Sequence, residues 1–303
     1  LVFLSFLLFA ILGTILFLLM GVHLSSFVTQ FVCILGAAVL WRLALQDGAA
    51  KWPKFGLTIS PQALIVSILA AVSLGMLASS LASILIESGD FLRLFAEGYM
   101  ARSAEYITEV MDWERVGMLV SSLANILIEL SDFPRSFAEG YMAQVAELIT
   151  EATSWQRAVG ILAVCVAAPI CEEALFRGTI LQEQRKVERV AVAVTINGFM
   201  FAAFHLNPIS APGLWILGAF LAHLTLRSGS ILPAILAHAA LNSTNALIIP
   251  ALTSTGAEVA ESGSTPISEM LLVALGLAAL SAALWWAVLK LIPARPAATS
   301  SEV

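Results

Sequence analysis

Residues 158–181 read "AVGILAVCVAAPICEEALFRGTIL". The stretch is apolar enough and long enough to cross a bilayer as a helix, for which about 20 apolar residues suffice. Yet it carries three ionisable side chains, Glu172, Glu173 and Arg177. Charges at membrane depth are costly, so they usually face a protein interior or a wet cavity. A helix of this kind needs neighbours, which points to a bundle of membrane helices rather than to a single anchor.

The composition agrees. Of 303 residues, 59% are hydrophobic and 12% charged, and the mean hydropathy is +0.93. A soluble domain carries about twice that charged fraction. The expected fold is all-α, a polytopic transmembrane bundle of about eight spans. We place the spans at roughly 1–22, 25–46, 60–86, 157–181, 190–206, 213–227, 230–250 and 268–291. They are separated by polar or Gly- and Pro-rich breaks such as "QDGAAKWPKFG", "NPISAPG" and "RSGS". The first span has neither a basic segment before it nor a small-residue cleavage site after it, so it is expected to be retained rather than removed as a signal peptide. Cys33, Cys165 and Cys171 all lie in apolar segments without CxxC spacing and read as buried small hydrophobes, not as a disulfide or zinc framework.

Basic residues follow the second span (Arg42, Lys51, Lys54), separate the fourth from the fifth (Arg185, Lys186, Arg189), and end the sixth (Arg227) and the eighth (Lys290, Arg295). These clusters share one side if residues 87–156 contribute an even number of crossings, and the positive-inside rule makes that side cytoplasmic. Both termini are then cytoplasmic, and the expected location is the cytoplasmic membrane of a prokaryote.

Residues 75–116 and 117–158 form a tandem repeat of 42 residues with 28 identities. Two copies are too few for a solenoid. Residues 87–157 hold five Arg, no Lys and twelve Asp or Glu, a net −7. Within the first copy Phe95, Tyr99, Tyr106 and Val110 share a helical face, as in a helix lying in the membrane interface. The expected organisation is therefore 1–74 as N-terminal transmembrane helices and 75–158 as the end of the third span plus an acidic duplicated interfacial segment. The catalytic core follows at 159–250, and the last helix and tail at 251–303. The duplicated stretch reads as a membrane-surface spacer or, alternatively, a lid over substrate. The segment "VGMLVSSLANILI" spans only about 21 Å as a helix and is expected to be re-entrant or interfacial.

The intramembrane polar residues fall into three groups. Glu173 and Arg177 are four apart on a helix and can neutralise each other, while Glu172 points about 100° away and lacks that partner. An uncompensated glutamate in an apolar cavity suits a general base for water; the alternative is an ion network tying helices together. The second group is "FMFAAFHLNP", where Phe201 stands one turn before His205. The third is "LPAILAHAALNSTN", where His238 and Asn242 share a face and can offer hydrogen-bond donors. Each of these two also has a plain structural reading. Counted from the basic clusters, however, Glu172, His205 and His238 all lie about 16–24 Å deep. A glutamate to take a proton from water, a histidine to orient it, and a His/Asn pair to stabilise an oxyanion together make up a hydrolytic site. His23 and His223 share no such group.

"EEALFR", "FAAFH" and "HAALN" match the patterns EExxxR, FxxxH and HxxxN in order. Over roughly residues 155–250 the chain resembles the CPBP family, which comprises the CAAX-processing type II endopeptidases and the bacteriocin-processing (Abi) intramembrane proteases. The resemblance implies that Glu172 and His205 activate water, that Glu173, Arg177 and Phe201 support the site, and that His238 with Asn242 forms its oxyanion side. Members have been described both as glutamate-type and as metal-dependent. There is no HExxH here, and a divalent metal such as zinc could draw only on Glu172, His205, His238 and Asn242, where about three protein ligands are needed. The acidic duplication is a departure from the family pattern. The implied partners are membrane lipid and a membrane-associated or lipidated peptide substrate, with no nucleic acid; the sequence is silent on oligomeric state. Two other readings compete with the protease: an inactive membrane scaffold or binding protein that keeps the polar core, and a transporter, which lacks the paired broken helices of that class.

Overall fold

The computed structural model describes residues 27–45, 51–110, 153–205, 207–248 and 266–293, with a few positions between 11 and 25; over 90–110 it describes helical backbone alone. Among these residues the chain is helical, apart from loops and an isolated parallel bridge between Lys54 and Ser230. The elements are α1 (Gly36–Leu45, continuing a π-helical turn Gln30–Leu35), α2 (Pro61–Val110), α3 (Ser154–Val187), α4 (Val190–Phe204), α5 (Ala211–Ser228), α6 (Leu232–Ser243, running into a π-helical turn Thr244–Ile248) and α7 (Ile267–Leu291).

Helix starts and stops follow from local chemistry. Gln156 Oε1 accepts the backbone N–H of Thr153 at 2.8 Å, closing the first turn of α3. Pro212 and Pro233 sit in the first turns of α5 and α6, where a missing N–H costs nothing. Gly229 ends α5 at φ 63°, a left-handed conformation that favours glycine, and its N–H returns to Thr225 O at 2.8 Å.

Among the described residues three helices are long and apolar enough to cross a membrane: Pro61–Gly89 within α2, Ser154–Val187 and Ile267–Leu291. They match the third, fourth and eighth expected spans. Phe27–Leu43 and Val190–Phe204 are shorter apolar helices at the second and fifth. The sixth and seventh are helical, but α5 and α6 are diluted by polar residues, among them Thr225, Arg227, His238 and Asn242. The first expected span lies largely outside the described residues, as do the second copy of the repeat up to residue 152 and "VGMLVSSLANILI". The third expected span, ending near residue 86, falls on Pro61–Gly89. The stretch from Phe95 expected to lie in the interface is continuous with it as helical backbone in α2, which runs to Val110. Between the two lie only Ser88, Gly89 and Asp90 as weak helix formers, and no proline stops the helix.

Helices α2, α5, α6 and α7 enclose one apolar core, centred on Leu74, Leu217, Phe220, Leu221 and Leu241. Helices α1, α3 and α4 enclose a second, centred on Phe176, Phe201 and Leu175. Helices α4 and α5 approach backbone to backbone. A Cβ on Gly198 would lie 2.6 Å from both Trp215 O and Ala219 N, and one on Gly218 would lie 2.9 Å from the Gly198 Cα. Small residues that let backbones touch are a principal means of packing helices in membranes.

The basic clusters converge. Lys54 N and O bond across to Gly229 O and Ile231 N at 3.0 Å each, so the 51–58 loop straps the α5–α6 turn. Arg42 lies over the Trp52 ring at 5.6 Å, and Trp52 in turn lies against Gly178 of α3. Arg227 donates to Leu289 O and Ile292 O at the end of α7. Helix α2 leaves this end of the bundle and α3 returns to it.

Candidate active site

The three polar groups meet. Glu172, Phe201, His205, His238 and Asn242 all line one cavity of about 350 Å³, whose remaining wall comes from α2, from Ser210 and α5, and from Leu241 and Asn245. Glu173 and Arg177 lie behind that wall, both fully buried.

On α3 the two neighbouring glutamates meet different partners. Glu173 Oε1 accepts from Arg177 Nη1 at 2.9 Å. The same oxygen lies 3.0 Å from His238 Nδ1; a carboxylate accepts, so the ring nitrogen donates. Arg177 Nη2 donates to Gly218 O at 2.9 Å, a carbonyl exposed by the tight α4–α5 contact. The guanidinium lies 4.5 Å from the centre of the Phe201 ring. Such a buried, hydrogen-bonded arginine pays its desolvation through these contacts, and losing one partner leaves the other charge uncompensated.

Glu172 is different. It is 8% exposed and lines the cavity, and among the described residues no hydrogen bond engages either of its oxygens, whereas Glu173 leaves Oε2 unpartnered but bonds through Oε1. His205 Nε2 lies 4.0 Å from Glu172 Oε2. His205 Nδ1 lies 2.8 Å from Phe201 O. A carbonyl can only accept, so Nδ1 carries the proton and Nε2 presents a lone pair in the neutral ring. The Phe201 ring holds both histidines, with centroids 4.7 Å from His205 and 5.7 Å from His238.

Asn242 lines the cavity but its amide is partly committed. Pro169 sits within α3, just after the π-helical turn Ala163–Ala167 in which Ala168 N bonds to Ala163 O, five residues back. Continuing that register, Pro169 would serve Val164 O but has no N–H to give. Asn242 Nδ2 supplies the donor at 2.9 Å.

A second π-helical turn, Ala174–Ile180, follows the glutamate pair, and three side chains satisfy its displaced carbonyls. Thr179 Oγ1 donates to Ala174 O, Gln182 Nε2 to Arg177 O, and Asn197 Nδ2 to Phe176 O. Asn197, fully buried on α4, is a residue that the sequence reading misses; the one amide side chain in "AVAVTINGFMF" is the available signal. Asn245 was also passed over, although it follows Asn242 by three residues on the same helix.

The donor set does not fit a catalytic metal. Among the described residues no group of three or more His, Cys, Asp or Glu could hold an ion. Only Glu172 and His205 face each other, where a catalytic zinc takes three protein ligands. No step below is routed through a metal.

Residues 153–244, from the start of α3 into the turn after α6, match the Rce1-like family model, described as type II CAAX prenyl endopeptidase Rce1-like. The match takes in 92 of the 303 residues and supports the resemblance of this stretch to the CPBP family. No curated protein and no solved structure matched the chain.

Proposed function

With that family domain as premise, we propose that the chain is an intramembrane endopeptidase that hydrolyses a peptide bond of a membrane-associated or lipidated, CAAX-like protein. The observation that carries the reading is the unpartnered Glu172 Oε2, 4.0 Å from a histidine nitrogen that presents a lone pair. Two facing acceptors at this separation suit one water that donates a hydrogen to each, leaving its oxygen lone pair free to attack.

In the proposed reaction that oxygen bonds to the scissile carbonyl carbon as one water proton passes to Glu172. The carbonyl oxygen becomes an oxyanion, faced by the His238 ring and by the remaining amide hydrogen of Asn242. When the C–N bond breaks, Glu172 returns the proton to the departing amine, giving one carboxylic acid and one amine. His205 orients the water throughout. Glu173 and Arg177 act at one remove, holding His238 and the helix that carries Glu172. The basic end of the bundle would face the cytoplasm of a prokaryote, with both termini on that side.

The test is Glu172→Gln in proteoliposomes with a farnesylated CAAX reporter peptide. General-base loss is expected to lower cleavage about 10²–10⁴-fold while thermal stability stays at the wild-type value. Cleavage at the wild-type rate would sink the assignment.

A further inference from the structure

The cavity has a second polar zone beyond the glutamate and the histidines. Gly75 of α2 packs on Leu241 of α6, so closely that a Cβ on the glycine would run into Leu241 Cδ1. Both helices run away from the Lys54–Ser230 bridge, and so run in the same direction past this contact. Ser79 and Asn245 each lie four residues further on, at the same height, about 6 Å beyond it. Both line the cavity.

The two asparagines of α6 differ in what they have left to offer. Asn242 has given a hydrogen to Val164 O in place of Pro169. Among the described residues no hydrogen bond engages Asn245, which keeps two donors and an acceptor, the complement of a peptide group. Ser79 Oγ donates to Gly75 O at 3.2 Å and so turns acceptor lone pairs outward. The α2 wall between them is slim: Gly75, Ala78 and Ala82 project almost nothing. At the base of this slot stands the buried, unpartnered Glu172 Oε2.

We propose that Asn245 holds the main chain of an extended peptide in this slot. Its amide accepts from a substrate N–H and donates to a substrate C=O, while Ser79 and the slim face of α2 form the opposite wall. The assignment rests on the peptidase reading and deepens it: the recognised feature is a stretch of peptide backbone, and Asn245 is a substrate-binding residue, not a catalytic one.

A chemical double-mutant cycle tests this. The probe is a fluorescein-labelled farnesyl-cysteine peptide with three following residues, bound to the Glu172→Gln protein in nanodiscs and read by fluorescence anisotropy. Each amide after the prenyl cysteine is replaced in turn by an ester, which removes one N–H. At one position the ester should weaken binding about 3–10-fold when Asn245 is present, the range for a single neutral hydrogen bond. With Asn245→Ala that ester penalty should vanish, and with Asn245→Asp, which keeps an acceptor, it should persist. Equal ester penalties with and without Asn245 at every position would overturn the assignment, as would failure of the parent peptide to bind. Because the readout is binding, the peptidase reading fails separately: Glu172→Gln protein that cleaves the reporter at the wild-type rate overturns that reading, while the ester penalties, read before cleavage proceeds, decide the role of Asn245.

Discussion

Glu173 and Glu172 are neighbours in sequence with opposite environments. One oxygen of Glu173 takes two donors, Arg177 and His238, in a site with no solvent. Arg177→Ala should therefore leave a buried carboxylate with half its compensation. The expected loss is about 3–5 kcal/mol, measured by chemical unfolding in detergent, and adding Glu173→Gln should recover part of it. If Arg177→Ala leaves stability unchanged, the pair is not the structural support described. Because the donor set offers two facing ligands rather than three, cleavage should also survive a strong chelator; complete loss restored by zinc would contradict that. The i,i+4 pairing of Glu173 with Arg177 was legible from spacing, since it depends on one helix alone. The His238–Glu173 bond, the Asn242–Val164 bond and the role of Asn197 were not. Each joins residues on different helices, and which faces meet is set by packing that no local pattern encodes.

At the scale of elements, the site depends on how closely α4 and α5 approach. Gly198→Ala would place a methyl group 2.6 Å from backbone atoms that cannot rotate away, so the helices must part. Overpacking of this kind costs about 1–3 kcal/mol. Parting would also shift the Gly218 carbonyl that Arg177 binds. Gly276→Ala, on α7 with nothing within 4 Å, is the control and should be neutral or slightly stabilising. Thermal unfolding of the two variants side by side checks this, and equal melting temperatures would refute the close-packing argument. Helix positions were readable because hydropathy marks them: the expected 60–86, 157–181 and 268–291 fall on Pro61–Gly89, Ser154–Val187 and Ile267–Leu291. The continuation of α2 to Val110 was not readable, because a fall in hydropathy marks where apolar character ends and not where a helix does.

For the whole molecule, the charge pattern becomes a three-dimensional fact. Residues from the loop after α1, the end of α5 and the end of α7 are joined at one end by the Lys54–Ser230 bridge and the Arg227 bonds. The opposite end carries Thr153, where α3 begins. Single cysteines at Lys51 and Lys290 should resist a membrane-impermeant maleimide in intact cells and react after lysis, whereas Thr153→Cys should react at once. Labelling of Lys51→Cys and Lys290→Cys from opposite sides would rule out the shared end.

The π-helical turn Ala174–Ile180 can be viewed as an α-helix carrying one residue too many. The wider turn absorbs the extra residue, and the pattern of buried positions slips by one residue across it. The side chains beyond keep the faces that an insertion into a plain α-helix would rotate by about 100°. The two halves of α3 are thus out of phase in sequence: the first is keyed to the cavity through Glu172, the second to α4 and α5 through Leu181, which is buried beside Ala193 and Ala222. Neither half dictates the other's face. Among descendants of this chain, substitutions along the outer half could accumulate without disturbing the glutamates. Removal of a single residue from the turn would restore a plain α-helix with both halves still facing their partners. Removal of one residue outside the π-helical turns of α3 would instead turn one half away by about 100°.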